Sequence, residues 1–265
     1  MKDLHRPEFF AQIMEANERY WQSYIYDELR KFPRFLLALT TAARPLDWLT
    51  ISLNCARCLR GTDLAEIENA FVREGLVPSI WTDPLTPPAM VEKLGQSGYR
   101  EVEAEREVWR VFDLAQLPAG RGTGAIEIAA VDPKGDPESL HAGLAIVERC
   151  YGMPRPLIDQ IGRKLGEIDP TVTKGMLLAK VAGVPAGVVC YGIVDSIAFL
   201  SLRGTLPEFR RQGLMTVVEQ ERFRRLREAG CRYAAGAILA QNAAGLAAKH
   251  GVPHHDLFEC RLWGR

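Results

Sequence analysis

The stretch SIAFLSLRGTLPEFRRQGLMT, residues 196–216, constrains the fold more than any other part of the 265-residue chain. Residues 196–205 are mostly apolar and predict a strand inside a sheet, and 213–229 predict a helix. Two arginines, a glutamine and a glycine stand between them. The first amides of a helix lack partners within it, and a turn of RRQG adds more amides at the same end. Such an end attracts an anion, above all a phosphate or pyrophosphate. Gly213 lets the anion approach the backbone. The helix dipole supplies only about 0.3–1 kcal/mol at an exposed site. Direct amide bonds and charge-assisted bonds from Arg210 or Arg211 must therefore contribute. A solvated basic turn is the competing reading, but arginines there oppose the dipole unless an anion is present.

The elements around this stretch follow from periodicity. An amphipathic helix is expected over 7–31, with Pro7 in its first turn and Pro33 past its end. Its aromatic stripe, which includes Phe10, Tyr20, Trp21 and Tyr24, is read as core packing and not as a ligand wall. A strand (47–59), a helix (63–75), a strand (78–82), a helix (87–98) and one or two strands (99–114) follow. LPAGRGTG (117–124) is read as a joint, because a phosphate loop follows a strand and this segment precedes one. Then come a strand (125–131), helices (137–150 and 156–166) and a hairpin (175–194) turning at AGVP, 182–185. After the strand–turn–helix stretch the chain continues with a strand (231–239), a helix (242–251) and a terminal strand-like segment (254–263). The two halves end alike, and REG in the first recurs as REAG in the second, but only the second has the basic turn. The expected division is therefore 1–117, a linker at 118–124, and 125–265, with one anion site per chain.

Lys plus Arg and Asp plus Glu both total 33, which argues against a dedicated nucleic-acid partner. No apolar run reaches membrane-spanning length, and MKDLHRPEFF lacks a signal-like apolar stretch, so a cytoplasmic protein is expected. The six cysteines are scattered through apolar segments and read as reduced core residues. CARC (55–58) lacks a second ligand pair nearby, since His254, His255 and Cys260 are distant, so no metal is expected. The arginines of 213–229 alternate with Glu219, Glu221 and Glu228, which suggests a solvated, salt-bridged face.

TLPEFRRQGLM (205–215) resembles the acetyl-CoA-binding motif of the GCN5-related N-acetyltransferases, the GNAT superfamily. That motif is Arg or Gln, two residues, Gly, one residue, then Gly or Ala. Arg210, Gly213 and Met215 occupy its defined positions, and Met215 departs from it. LPEF resembles the common Pro-Glu-Tyr lead-in. QNAAGLAAKHGV (241–252) is similar to the late Asn-containing helix, with Val252 for the usual Phe and no tyrosine at Ala247 or Lys249.

The resemblance implies an α/β (α+β) fold. It would have a mixed, mostly antiparallel central sheet flanked by helices, built from two GNAT-related halves, the first degenerate. It implies direct attack by a primary amine, on a small molecule or an amino terminus, on acetyl-CoA as co-substrate. The alternatives are a non-catalytic acyl-CoA sensor or interaction module, and a different acyl donor. The oxyanion donor would be an amide near Leu202–Arg203, and Gly204 and Thr205 would pair with the pantetheine arm. Arg210 and the amides of Arg211, Gln212, Gly213, Leu214, Met215 and Thr216 would hold the pyrophosphate, with Asn242 bonding the arm. Tyr151 and His250 are the candidates for proton transfer, against loop packing and helix capping as their competing roles. The expected partner is a small-molecule amine, with neither nucleic acid nor membrane, and both monomer and homodimer stay open.

Overall fold

The computed structural model describes residues 6–43, 53–58, 63–117, 126–242 and 252–265. The expected joint at 118–124 and His250 lie outside those residues, as does the late helix past Asn242 and the part of the 47–59 strand before Leu53.

Helix α1 (Pro7–Tyr24) opens on a proline and buries Ile13, Met14, Ala16, Tyr20 and Tyr24 along one stripe. It ends at Tyr24, where the sequence suggested a helix to 31. Strand β1 (Glu28–Lys31) instead pairs antiparallel with β2 (Phe35–Leu39), and the Phe32 N–H bonds the Phe35 carbonyl at 2.9 Å. Pro33 therefore serves a hairpin turn, and does not follow a helix end. The first half continues with β3 (Cys55–Cys58), α2 (Leu64–Arg73), β4 (Ser79–Thr82), α3 (Pro88–Gln96), β5 (Arg100–Glu101) and β6 (Glu107–Asp113). The second has β7 (Ile126–Ala130), α4 (Pro137–Tyr151), α5 (Arg155–Gly166), β8 (Thr173–Val181), β9 (Val184–Val194), β10 (Ile197–Thr205), α6 (Leu214–Glu228), β11 (Tyr233–Leu239) and β12 (His254–Gly264). The β8–β9 turn narrows to Ala182–Gly183, with φ of 49° and 80°, the pair of left-handed residues that a tight hairpin needs.

The strands form one mixed, mostly antiparallel sheet in the order β1-β2-β3-β4-β12-β6-β11-β10-β9-β8-β7, with β5 beside β12. Its parallel pairs are β3–β4 and β10–β11, each joined through a helix, α2 or α6. The likeness between the halves is thus one of topology. The halves also exchange strands. From the first half, β6 lies between β11 and β12. The end of β12, residues 261–264, in turn pairs with β4.

Alternate residues of β8 divide between two cores. Met176 and Leu178 join a cluster with residues of α1, α4 and α5, whereas Leu177 and Ala179 join Leu214 and Val218 of α6. Helices α1, α4 and α5 therefore cover one face and α6 the other. A Cβ on Gly192 would lie 2.3 Å from the Tyr20 ring, so that glycine lets α1 of the first half seat on β9 of the second. No helix among the described residues is long and apolar enough to cross a membrane.

Candidate active site

Strands β10 and β11 pair only through Ile197–Phe199 and Tyr233–Ala235. Beyond that point they part. The β9–β10 register slips between Ser201 and Arg203, and Leu202, the residue skipped, has a φ of +32°. A cavity lined by Leu200–Arg203, Gly236–Ile238, Tyr151, Glu219 and Arg222 opens in the gap. A second cavity, about 270 Å³, lies on the α1 side between the two halves. The two share Tyr151, Leu200, Ser201, Leu202, Gly236 and Ala237, so they meet through the parted strands.

The floor of the first cavity carries a feature that the sequence pattern misrepresents. Arg222 and Glu219 are not on a solvated face, being 1 % and 0 % exposed. Arg222 donates to Glu219 and, at 2.7 Å, to the Cys190 carbonyl, and Glu219 also lies 3.7 Å from Arg203. A guanidinium thus holds the backbone beside the bulge. The spacing of the pair on α6 is that of an ordinary surface ion pair, and burial comes only from the sheet beneath. Arg224, Arg225, Glu221 and Glu228 do form the expected ion pairs on the outer side.

At the other end of β10, Thr205, Phe209–Arg211 and Gly213–Thr216 surround a concave turn. Gly213 is the N-cap of α6 with φ 76°, and no side chain caps the helix. The Val217 N–H makes the first bond of the helix, to the Gly213 carbonyl at 3.3 Å, so the amides of Leu214, Met215 and Thr216 precede it. Arg211 also has a positive φ, 62°, which costs roughly 1–2 kcal/mol for a residue with a side chain. Arg210 Nε donates to the Thr205 carbonyl at 3.0 Å and fixes the turn to the strand. A Cβ on Gly213 would meet nothing within 4 Å. The glycine is therefore required by its backbone conformation, more than by crowding within the protein. Met215 lines the turn and also packs against the α6–β8–β9 core, which takes up part of its bulk.

Tyr151, at the end of α4, stands where the two cavities join. Its hydroxyl accepts from the Arg203 N–H and donates to the Arg203 carbonyl, both at 3.0 Å. Burial of the hydroxyl pushes its pKa up against the opposing Arg203 amide, so it stays protonated at neutral pH. Leu202, Arg203 and Tyr151 converge at the junction, and Thr205 and Arg210 to Thr216 at the turn, where Gln212 donates to the Glu208 carbonyl. Gly204 lies between them, and a Cβ there would come within 2.9 Å of the Cys150 sulfur, so its smallness serves the packing of α4 on β10. Asn242 follows β11 in an exposed turn, with its N–H on the Leu239 carbonyl at 2.8 Å, and lines neither cavity.

The second cavity contains a residue the sequence reading passed over. Glu107, at the start of β6, shares its face with Trp109 and Val111. It accepts from Trp109 Nε1 at 3.1 Å, and burial pushes its pKa up to about 7 against the pull of Arg57 and Trp109. Burial also raises Glu105 beside it. Arg57 lies 2.6 Å from Glu18 and 3.6 Å from Asp83, and its buried Nη1 makes no hydrogen bond among the described residues. The available signal was a carboxylate in phase with an inward-facing aromatic. What the sequence could not supply was the set of distant elements that close over it. Cys55 and Cys58 are buried in different cores, on opposite faces of β3, as their spacing implies.

No protein-family model matches the sequence, and no curated protein does. Solved structures do match. A GCN5-related N-acetyltransferase from Kribbella flavida aligns over 96 % of this chain and 94 % of its own, with a TM-score of 0.70 and 18 % identity. One from Sphaerobacter thermophilus aligns over 95 % and 84 %, with a TM-score of 0.61 and 14 % identity. A tandem GNAT protein from the clavulanic acid biosynthesis pathway aligns over 87 % and 78 %, with a TM-score of 0.61 and 12 % identity. At these identities the likeness is one of fold. The chain has the fold of the GNAT acetyltransferases.

Proposed function

We propose that the protein is an N-acyltransferase that moves the acetyl group of acetyl-CoA to a primary amine on a small molecule. The observation that carries this reading is the pair of cavities on opposite faces of the sheet, meeting at Leu200–Leu202 where β10 leaves β11. Donor and acceptor can then enter from different sides and meet at one point.

The residues present fit the donor. The uncapped start of α6 offers amides to a pyrophosphate, with Arg210 and Arg211 adjacent. Beside them Thr205 Oγ1 is buried and, among the described residues, has no hydrogen-bond partner. The open side of β10 suits an arm carrying amides, as a missing strand would. Acetyl-CoA supplies the activated acyl group and a thiolate leaving group. In this reading the Leu202 bulge presents the oxyanion donor, since the Arg203 amide is engaged by Tyr151. Tyr151, kept protonated, donates to the departing sulfur. The second half, 125–265, binds the donor, and the first, 1–117, walls the acceptor cavity with Arg57, Trp81, Glu107 and Trp109. The neutral charge balance supports a small-molecule partner without nucleic acid or membrane. Six cysteines, all unpaired, support a reducing, cytoplasmic setting.

The experiment is calorimetric titration with CoA, followed by thiol release from acetyl-CoA across a panel of amines. Failure to bind CoA would end this reading. A second reading, an acyl-CoA sensor without turnover, is favoured by the Tyr151 hydroxyl closing on the Arg203 backbone at the junction. Binding without thiol release on any amine would establish it.

A further inference from the structure

The acceptor cavity has a composition of its own. Trp21, Tyr26, Trp81, Trp109 and Met153 make its walls, and it is smaller than most small-molecule sites, which run from about 300 to 1,000 Å³. The carboxylates on it are Glu105 and Glu107. Its one guanidinium, Arg57, is bonded through Nε to Glu18 and lies 3.6 Å from Asp83, with Nη1 left without a hydrogen bond among the described residues. Four carboxylates, those of Glu18, Asp83, Glu105 and Glu107, stand around that one cation, so an acceptor carboxylate or phosphate meets more negative than positive charge, whereas an ammonium meets aromatic faces and a carboxylate.

We propose, on the acyltransferase reading above, that the acceptor is a small, singly charged primary amine with a flat apolar body, and that Glu107 takes its proton. Glu107 reaches the site on β6, the strand that the first half inserts between β11 and β12. The first half thus supplies the base as well as the wall. Around Glu107 stand Arg57 of β3, Glu18 of α1, Tyr26 beyond it, Glu105 of the preceding turn, Trp109 and Cys260 of β12. Burial outweighs Arg57, and the neighbouring carboxylates add to it, so the group exchanges its proton near neutrality.

The step balances. The bound ammonium gives one proton to the Glu107 carboxylate. The freed lone pair forms a C–N bond to the thioester carbonyl carbon. The C–S bond then breaks and its electron pair leaves on sulfur, which takes the Tyr151 proton, and Tyr151 is reprotonated by the second proton lost by nitrogen. The proton left on Glu107 returns to solvent.

The test compares wild type with Glu107→Gln on phenethylamine, phenylalaninamide and phenylalanine. For phenethylamine, wild-type kcat/KM rises to a break near pH 7 and stays level until the amine itself deprotonates, at about 10. In Glu107→Gln the value for phenethylamine falls by about 10²- to 10⁴-fold at pH 7.5 and climbs through pH 7–9 without a break, because only free amine reacts. Compared per free amine, phenylalanine is used at least about tenfold less well than phenylalaninamide, since its carboxylate adds a negative charge beside Glu105 and Glu107. Tryptophan fluorescence gives a reading independent of turnover: phenethylamine quenches the wild type more tightly above pH 7 than below, and this dependence is absent in Glu107→Gln. CoA affinity is equal in both proteins. Retention of the rate and the pH break in Glu107→Gln overturns the proposal, as does equal use of phenylalanine. Loss of CoA binding from the wild type itself would instead overturn the acyltransferase reading and this inference with it.

Discussion

The hydroxyl of Tyr151 and the backbone of Arg203 are joined twice, each bond 3.0 Å, N–H to oxygen in one direction and O–H to carbonyl in the other. A helix end of one cavity wall is thereby fastened to the strand at the point where β10 parts from β11. If Tyr151 is the acid for the leaving sulfur, Tyr151→Phe lowers kcat by about 10²-fold or more with little change in CoA affinity. Loss of the two bonds costs stability of only about 1–2 kcal/mol, measurable by urea unfolding. An unchanged kcat with that same stability loss would assign Tyr151 to packing alone.

Gly213→Ala isolates the backbone requirement of the turn. The added Cβ meets no atom within 4 Å, so the cost is that of holding φ near 76°. Stability should fall by about 1–2 kcal/mol. The strain shifts the first amides of α6, so the Kd for CoA should rise about tenfold. Calorimetry and thermal unfolding on the same variant separate the two effects. A variant that is destabilised and binds CoA normally would remove the turn from the donor site.

Arg222→Met should destabilise by about 3–5 kcal/mol, because it leaves Glu219 buried without its principal partner. The double variant Glu219→Gln, Arg222→Met should recover part of that loss, as no buried charge remains. Equal stability of the two would mean that Arg222 matters through its bond to the Cys190 carbonyl and not through the ion pair.

What was legible in the sequence was local. Strand, basic turn and helix at 196–229 follow one another in the chain, and the amide cradle with Gly213 at its centre is set by contiguous residues. The end of α1 was misread because Pro33 suits both a helix stop and a hairpin turn. Residues 36–39 decide between them by pairing with 28–31. Arg222 and Glu219 carry the spacing of a surface pair, and Glu107 sits in a charged run. In each case elements far off in the chain desolvate an ordinary charge, burying Arg222 and Glu219 and half-burying Glu107. The place of β6 between β11 and β12 was illegible for the same reason, since a strand's sequence does not name its neighbour.

Glu107 also predicts a stability effect that needs no substrate. Its pKa is about 7 when folded, against an ordinary 4.5, so folding favours its protonated form. That contribution is complete below about pH 4.5 and is lost as the pH rises through about 7. Glu107→Gln, which cannot ionise, should therefore match the wild type at about pH 4 and exceed it by about 1–3 kcal/mol at about pH 8. Urea unfolding at the two pH values measures this. Equal differences at both would mean that the carboxylate is solvated and unfit as a base.

The exchange of strands makes the halves interdependent. The seven residues of β6 are paired with β11 on one side, and six of β12's residues pair with it on the other. A chain of 118–265 lacks β6, so it exposes the facing edges of β11 and β12 with their unpaired amides and carbonyls. It also loses α1, whose Tyr20 covers Gly192 and bonds Ser201. Expressed alone, it should aggregate and fail to bind CoA, although every residue of the proposed donor site is present. Co-expression with 1–117 should restore a soluble pair that binds CoA, because the ladder between β6 and its neighbours can form between separate chains. A soluble 118–265 that binds CoA as tightly as the whole chain would show that the first half is dispensable for folding, and would confine it to the acceptor wall.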